Sequence, residues 1–205
     1  TSSPEKAARF RDFCPTIRTE SYEGLLASPD IDAVYIPLPN HLHVEWAAKA
    51  LEAGKHVLVE KPIAMEAGEI DRLIALRDAT GLVASEAFMI VHHPQWLKAR
   101  ELLREGAVGR LKHVDVAFSY NNPDPENIRN RPETGGGSIR DIGVYAYGSV
   151  RFATGEEPRR LSARITWQNG VDVIAHVHGE FESFSYSAMT STRMAPRQEV
   201  VFHGD

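Results

Sequence analysis

Residues 1–88 alternate helical patterns with short apolar runs, and this alternation constrains the fold more than any other feature of the chain. "SSPEKAARFRDF" reads as a helix, with Ser3 as its N-cap, Pro4 in the first turn, and Ala7, Ala8 and Phe10 at near-helical spacing. "YEGLLASPD" reads as a short helix ended by Pro29. In "IDAVYIPLP" the run Ala33 to Ile36 is too continuous for a half-exposed strand, and prolines close it. "HVEWAAKALEAGK" has Ala47, Ala48, Ala50 and Leu51 on one helical face and Gly54 at the C′ position. "HVLVE" is a second apolar strand. "EIDRLIALRDATG" is a helix built on Ile70, Leu73 and Ile74 and stopped by Gly81, and "LVASEAF" is a third strand. Helices and strands joined this closely predict a parallel sheet covered by helices on both faces.

The pattern changes after Phe88. "PQWLKARELLREGAVG" predicts a helix and turn, "RLKHVDVAFSY" a long strand, and "NNPDPENIRNRPETGGG" a loop. "SIRDIGVYAYGSVRFATG" predicts a helix, after which "RRLSARITW", "VDVIAHVHGEF", "FSYSAMTS" and "QEVVFHG" follow as strands. Successive strands with turn signals predict an antiparallel sheet. The expected organisation is an α/β domain over 1–88 and an α+β domain with an open antiparallel sheet over 89–205.

In an open parallel sheet, ligands sit outside the carboxyl ends of the strands. Two such ends carry unusual residues, "PLPNHLH" with Pro39, Asn40, His41 and His43, and "EKP" with Glu60, Lys61 and Pro62. The residue before a proline is pushed toward extended backbone, and a cis Lys61–Pro62 bond would turn the chain sharply and aim the ammonium at a ligand. A plain solvated surface turn fits the same residues. Asp141 and Tyr145 are four apart on one predicted helix and share a face. A free tyrosine titrates near pH ~10, and an ammonium beside it favours the phenolate. Such a pair suits taking a proton from an alcohol, although Tyr145 also fits simple packing on a helix face.

The segments "DAVYIPLPNHLHVEWAAKALEAGKHVLVEKP" and "GGGSIRDIGVYAYGSVRFATGEEP" closely resemble the glucose–fructose oxidoreductase / inositol dehydrogenase / rhizopine-catabolism (Gfo/Idh/MocA) family, and the likeness runs through nearly the whole chain. The resemblance implies a Rossmann-type domain that binds NAD or NADP, then a domain that holds substrate and forms a homo-oligomer through its sheet. It implies catalytic roles for Lys61, Tyr145 and Asp141, and cofactor contacts from Asn40, His43, Glu60, Lys61, Pro39 and Ser2. His93, in "EAFMIVHHPQW", is expected at the substrate together with Lys61 and Tyr145. Many members have His where Tyr145 stands. Tyr there resembles the branch holding glucose–fructose oxidoreductase, dihydrodiol dehydrogenase and sugar 1-dehydrogenases. Arg is common at the place of Val91, so one contact differs. The implied activity is hydride transfer between a nicotinamide and a sugar, polyol or related cyclic hydroxyl compound. An NAD-using glycoside hydrolase of the same fold and a non-catalytic cofactor-binding protein are the alternatives.

No GxGxxG turn occurs. In the family it lies on the first strand, roughly thirty residues upstream by the size of a βαβ half-unit. The first residue is not Met, and the family's second domain continues past "VVFHGD". The expectation is therefore a piece of a longer protein holding part of the pyrophosphate site. The loop "TSSP" has no acid to accept a ribose 2′-hydroxyl, which leans toward NADP. Net charge is −5 without a basic cluster, which argues against a nucleic-acid partner. No apolar run is long enough for a membrane span. The single Cys14 and the lack of a signal-peptide core in "TSSPEKAARF" suggest a cytoplasmic location. The pairs His41/His43, His92/His93 and His176/His178 lack a convincing third ligand, so no metal site is expected.

Overall fold

The computed structural model describes residues 4–205. The chain divides into two compact units. The first runs to Leu38 and includes Leu42–Glu60 and Glu66–Glu86; the second takes Pro39–His41, Lys61–Met65 and Ala87–Asp205. The short segments following the first two strands are thus grouped with the C-terminal residues.

The first unit holds α1 (Pro4–Ala8), α2 (Tyr22–Ala27), β1 (Ala33–Ile36), α3 (His43–Glu52), β2 (His56–Glu60), α4 (Ala67–Thr80) and β3 (Ala84–Ala87). The strands form one sheet in the order β1-β2-β3, with β1 and β2 parallel and Ile36 opposite Val59. The predicted face of α3 is the buried one. Ala47, Ala48, Ala50 and Leu51 have no exposure, because small side chains let the helix lie close on β2, and burying Leu51 contributes about 2 kcal/mol. Gly81 ends α4 in the left-handed region (φ 68°), where its N–H bonds the Arg77 carbonyl at 2.8 Å.

Three expectations for this unit are corrected. The helix from Pro4 stops at Ala8 rather than continuing to Phe13. Phe10 and Phe13 are exposed, so residues 9–13 have little burial to offset the cost of ordering a short helix. The Ser3 cap lies outside the described residues. The apolar runs of β1 and β2 are also half-exposed rather than buried throughout among the described residues, with Tyr35 and its register partner Leu58 both exposed. In a sheet laid down in the order 1-2-3, right-handed crossovers place α3 and α4 on the same face. Finally, α4 buries Leu73 but leaves Ile74 exposed.

The second unit holds a 3₁₀ turn at Met89–His92, α5 (Pro94–Arg104), β4 (His113–Asn121), 3₁₀ turns at Ile128–Asn130 and Pro132–Thr134, a π turn at Ile139–Gly143, α6 (Val144–Thr154), β5 (Arg160–Gln168), β6 (Val171–Glu180), β7 (Ser185–Ser191) and β8 (Arg193–His203). The sheet order is β5-β6-β7-β4-β8. It is mostly antiparallel, but β4 and β7 run parallel, with Val116 opposite Ala188. Asn169 (φ 51°) and Gly170 (φ 80°) make the tight β5–β6 hairpin turn. One sheet face, with Val114, Val116, Tyr186 and Ala188, packs on Ala146 and Val150 of α6 and closes over the stacked rings of Phe181 and Phe184.

Candidate active site

Lys61 is the first residue after β2, and the Lys61–Pro62 peptide bond is cis. Its ammonium donates to the Asp141 main-chain carbonyl at 2.6 Å and lies 3.4 Å from Asp141 Oδ1. The same nitrogen lies 4.9 Å from the centroid of the Tyr145 ring, over its face, where a cation is attracted by the ring quadrupole. Lys61 and Asp141 side chains are each 13% exposed, so water screens this pair weakly. The Tyr145 ring sits between Phe88, with centroids 5.8 Å apart, and Phe118, at 5.6 Å. Lys61, Tyr145 and Asp141, all named from the sequence, therefore converge within the second unit.

The predicted continuous helix begins instead as a π turn, Ile139–Gly143, with Asp141 in it and Tyr145 in the first turn of α6. Single π turns inside helices recur at functional sites. The start is held by Asp172 of β6, whose Oδ2 accepts from Ser138 Oγ at 2.7 Å and from the Ile139 N–H at 2.8 Å. Asp172 is buried, and the carboxylate satisfies a helix-start donor that Ser138 does not cap. Gly137 (φ 121°) leaves room for it, since a Cβ there would meet Asp172 Oδ1.

Asp141 has two further partners that the sequence reading missed. Tyr120, at the end of β4, donates its hydroxyl to Oδ2 at 2.5 Å, and Arg129 Nε donates to Oδ1 at 3.1 Å. Burial, and then the bond to the Asp141 carboxylate, push the Tyr120 phenol well above its ordinary range, so it remains a neutral donor. "FSY" had the look of an ordinary strand end and "NIRN" of a plain loop. Their only local signal was an aromatic and a cation flanking an asparagine-rich loop.

The remaining predicted residues are more dispersed. Asn40 donates through Nδ2 to the Gly135 carbonyl at 2.9 Å, and Pro39 is half-buried next to it. The glycines at 135–137 make room for neighbouring protein: a Cβ on Gly136 would stand 2.5 Å from the Arg129 carbonyl oxygen. His93 caps α5, its Nδ1 accepting from the Gln95 N–H at 3.2 Å. It also lines a cavity of about 760 Å³ together with Met89, Trp96, Phe118, Tyr145 and Glu199; Lys61 is not in its lining. His43 is fully buried, and its Nε2–H donates to the Leu38 carbonyl at 2.7 Å. It locks the β1–α3 turn and leaves no ring surface for a nucleotide. In the first unit, Glu60 Oε1 accepts from Tyr35 at 2.5 Å, and this bond, with burial and the Glu60 charge, pushes the Tyr35 phenol up to about 12. Ser2 lies outside the described residues. Among the described residues no three His, Cys, Asp or Glu are placed to hold a metal ion, and no helix is long and apolar enough to cross a membrane.

Comparison with known proteins bears on this geometry. An oxidoreductase family with an NAD-binding Rossmann fold matches residues 1–88, and the GFO/IDH/MocA C-terminal domain matches residues 96–205. The chain is 48% identical over 143 residues to an uncharacterized oxidoreductase of Rhizobium meliloti, covering 70% of this chain and 43% of that protein. It is 36% identical over 182 residues to a D-xylose 1-dehydrogenase (NADP(+)) of Haloferax volcanii, covering 87% of this chain and 55% of the relative. A 3-ketoreductase from Actinomadura kijaniata, solved with NADP and TDP-benzene, superposes with a TM-score of 0.90 at 32% identity, covering 100% of this chain and 64% of that one. Variants of that enzyme with a lysine or a tyrosine replaced have also been solved. The chain spans about half the length of the curated relatives it matches. With one domain description matching each half, the chain belongs to the GFO/IDH/MocA family of oxidoreductases.

Proposed function

We propose that this chain is part of an NAD(P)-dependent oxidoreductase that moves a hydride between nicotinamide and a sugar, polyol or related cyclic hydroxyl compound. The observation that carries the proposal is the Lys61 ammonium, tied to the Asp141 carbonyl at 2.6 Å and held 4.9 Å over the Tyr145 ring. A bound nicotinamide supplies the hydride acceptor or donor. Tyr145 takes the hydroxyl proton in oxidation and returns it in reduction, with the Lys61 ammonium held over its ring. Asp141 fixes Lys61. His93, in the cavity it shares with Tyr145, contacts the substrate. The lysine and the tyrosine replaced in the A. kijaniata enzyme stand at the same interval along their chain as Lys61 and Tyr145 do here, which supports these roles.

The residues present suit the nucleotide on the nicotinamide side. Ile36 and Val59 are register partners, so the segments carrying Pro39 and Asn40 and carrying Glu60 and Lys61 leave the sheet along one edge. A carboxylate such as Glu60 at that edge suits ribose hydroxyls. NADP is favoured over NAD, as the NADP(+)-dependent xylose dehydrogenase and the NADP complex of the A. kijaniata enzyme support. Assembly through the outer sheet face is part of the proposal; that face presents His113, Asp115 and His203. So is a cytoplasmic location, which suits the exposed thiol of Cys14.

The test is nicotinamide absorbance with the complete protein, screened over aldoses, inositols and diols with both cofactors. Substrate-dependent change with NADP is the expected result. Product release without net cofactor turnover would favour a hydrolase instead, and bound cofactor with no turnover a binding protein.

A further inference from the structure

The bonds around Asp141 run against the usual preference. An ammonium ordinarily binds a carboxylate more strongly than a neutral carbonyl. Here Lys61 Nζ is 2.6 Å from the Asp141 carbonyl and 3.4 Å from its carboxylate. The carboxylate is already engaged, Oδ2 by Tyr120 and Oδ1 by Arg129. The Arg129 side chain is 45% exposed, but the loop that carries it is anchored. The Arg129 N–H donates to Asn127 Oδ1 at 3.0 Å. Its neighbour Asn130 is buried and donates to the carbonyls of Asn122 at 2.9 Å and Asp124 at 2.6 Å. Its carbonyl accepts from the Gly137 N–H at 2.9 Å and lies where any side chain at Gly136 would have to go. The loop thus delivers the guanidinium to Oδ1 from a built seat.

We propose that Arg129 is a positioning residue for Lys61: by occupying Asp141 Oδ1, with Tyr120 on Oδ2, it keeps the ammonium on the main-chain carbonyl and over the Tyr145 ring instead of letting the carboxylate capture it. The inference rests on the roles given above to Lys61 and Tyr145. Removing Arg129 frees Oδ1, the closer of the two carboxylate oxygens to Lys61, and the ammonium swings into a full ion pair. Arg129 acts through Asp141 and Lys61 and needs no contact with substrate.

The test compares Arg129→Met, Arg129→Lys and Asp141→Asn singly and combined, in the complete protein. Arg129→Met is expected to lower kcat roughly ten- to a hundredfold with little change in KM, the scale of a misplaced catalytic group. Arg129→Lys is expected to recover most of that loss. In the Asp141→Asn background the Arg129→Met substitution is expected to cost almost nothing further, because the capturing charge is gone. Equal losses from Met and Lys, or losses that simply add in the double variant, would overturn the inference. A crystal structure of Arg129→Met decides the matter even if the wild-type protein shows no turnover. Lys61 Nζ shifted onto the carboxylate supports the inference, and Lys61 still on the carbonyl and over Tyr145 rejects it. Absence of turnover in the wild-type protein would count against the proposed activity, not against this geometry.

Discussion

Asp172 is the residue whose removal most directly tests how the site is built. Its carboxylate reaches across from β6 to receive Ser138 Oγ and the Ile139 N–H at the start of the turn that carries Asp141. In Asp172→Ala the serine keeps one alternative, Thr190 Oγ1 at 2.9 Å, so its share of the loss is about 1 kcal/mol. The Ile139 N–H is left without its carboxylate in a partly buried setting, which costs about 1–3 kcal/mol. The sum is about 2–4 kcal/mol, and the melting transition of this unit should fall by roughly 5–15 °C. Asp172→Asn keeps an acceptor oxygen and should cost about half as much. Differential scanning calorimetry of the three proteins gives the comparison, and kcat measured well below the transition should fall along with stability as the π turn loosens. An alanine variant within about 0.5 kcal/mol of wild type, a margin typical of surface substitutions, would refute the reasoning.

Four other outcomes are expected. Lys61→Met in the complete protein lowers kcat by at least about a hundredfold while leaving NADP affinity nearly intact, as stopped-flow and equilibrium fluorescence would record. Leu51→Ala, at a position with no exposure, costs about 2–5 kcal/mol in denaturant unfolding of the first unit. Gly136→Ala forces a Cβ against the backbone carbonyls of Arg129 and Arg131, costs about 1–3 kcal/mol, and depresses kcat because the seat of Arg129 moves. The Asp115 carboxyl is held below its usual value chiefly by Ser187, with His113 and His203 beside it. A depressed folded-state value means that its contribution is present above the ordinary carboxylate value of about 4 and is lost as pH falls through the lower folded one. Asp115→Asn should therefore flatten the acid side of the stability curve in that window by less than about 1 kcal/mol, since the pair is exposed.

The parts of this molecule that were legible in the chain are those governed by neighbours in sequence. The alanine face of α3, the left-handed stop at Gly81 and the general run of strands follow from side-chain period and turn chemistry, which act over a few residues. Lys61, Asp141 and Tyr145 were legible through motifs rather than through period. Reading two whole strands as buried failed because the face a strand leaves open depends on where crossover helices pack. The same limit applies to His43, whose burial and bond to the Leu38 carbonyl only the folded structure reveals.

What lay beyond sequence reading are the partners of charges. Arg129, Tyr120 and Asp172 carry no local mark of their roles, because each acts across a fold that joins distant segments: Lys61 meets Asp141 80 positions away, and Ser138 meets Asp172 34 away. The placement of β4 beside β7, parallel within a mostly antiparallel sheet, is likewise a matter of long-range pairing. Sequence determined which segments become helix or strand and which residue types stand at the strand ends, because those depend on local periodicity and residue type. Tertiary structure alone decided which atom of Asp141 the lysine holds, because that is settled by competition among groups the chain brings together only when folded.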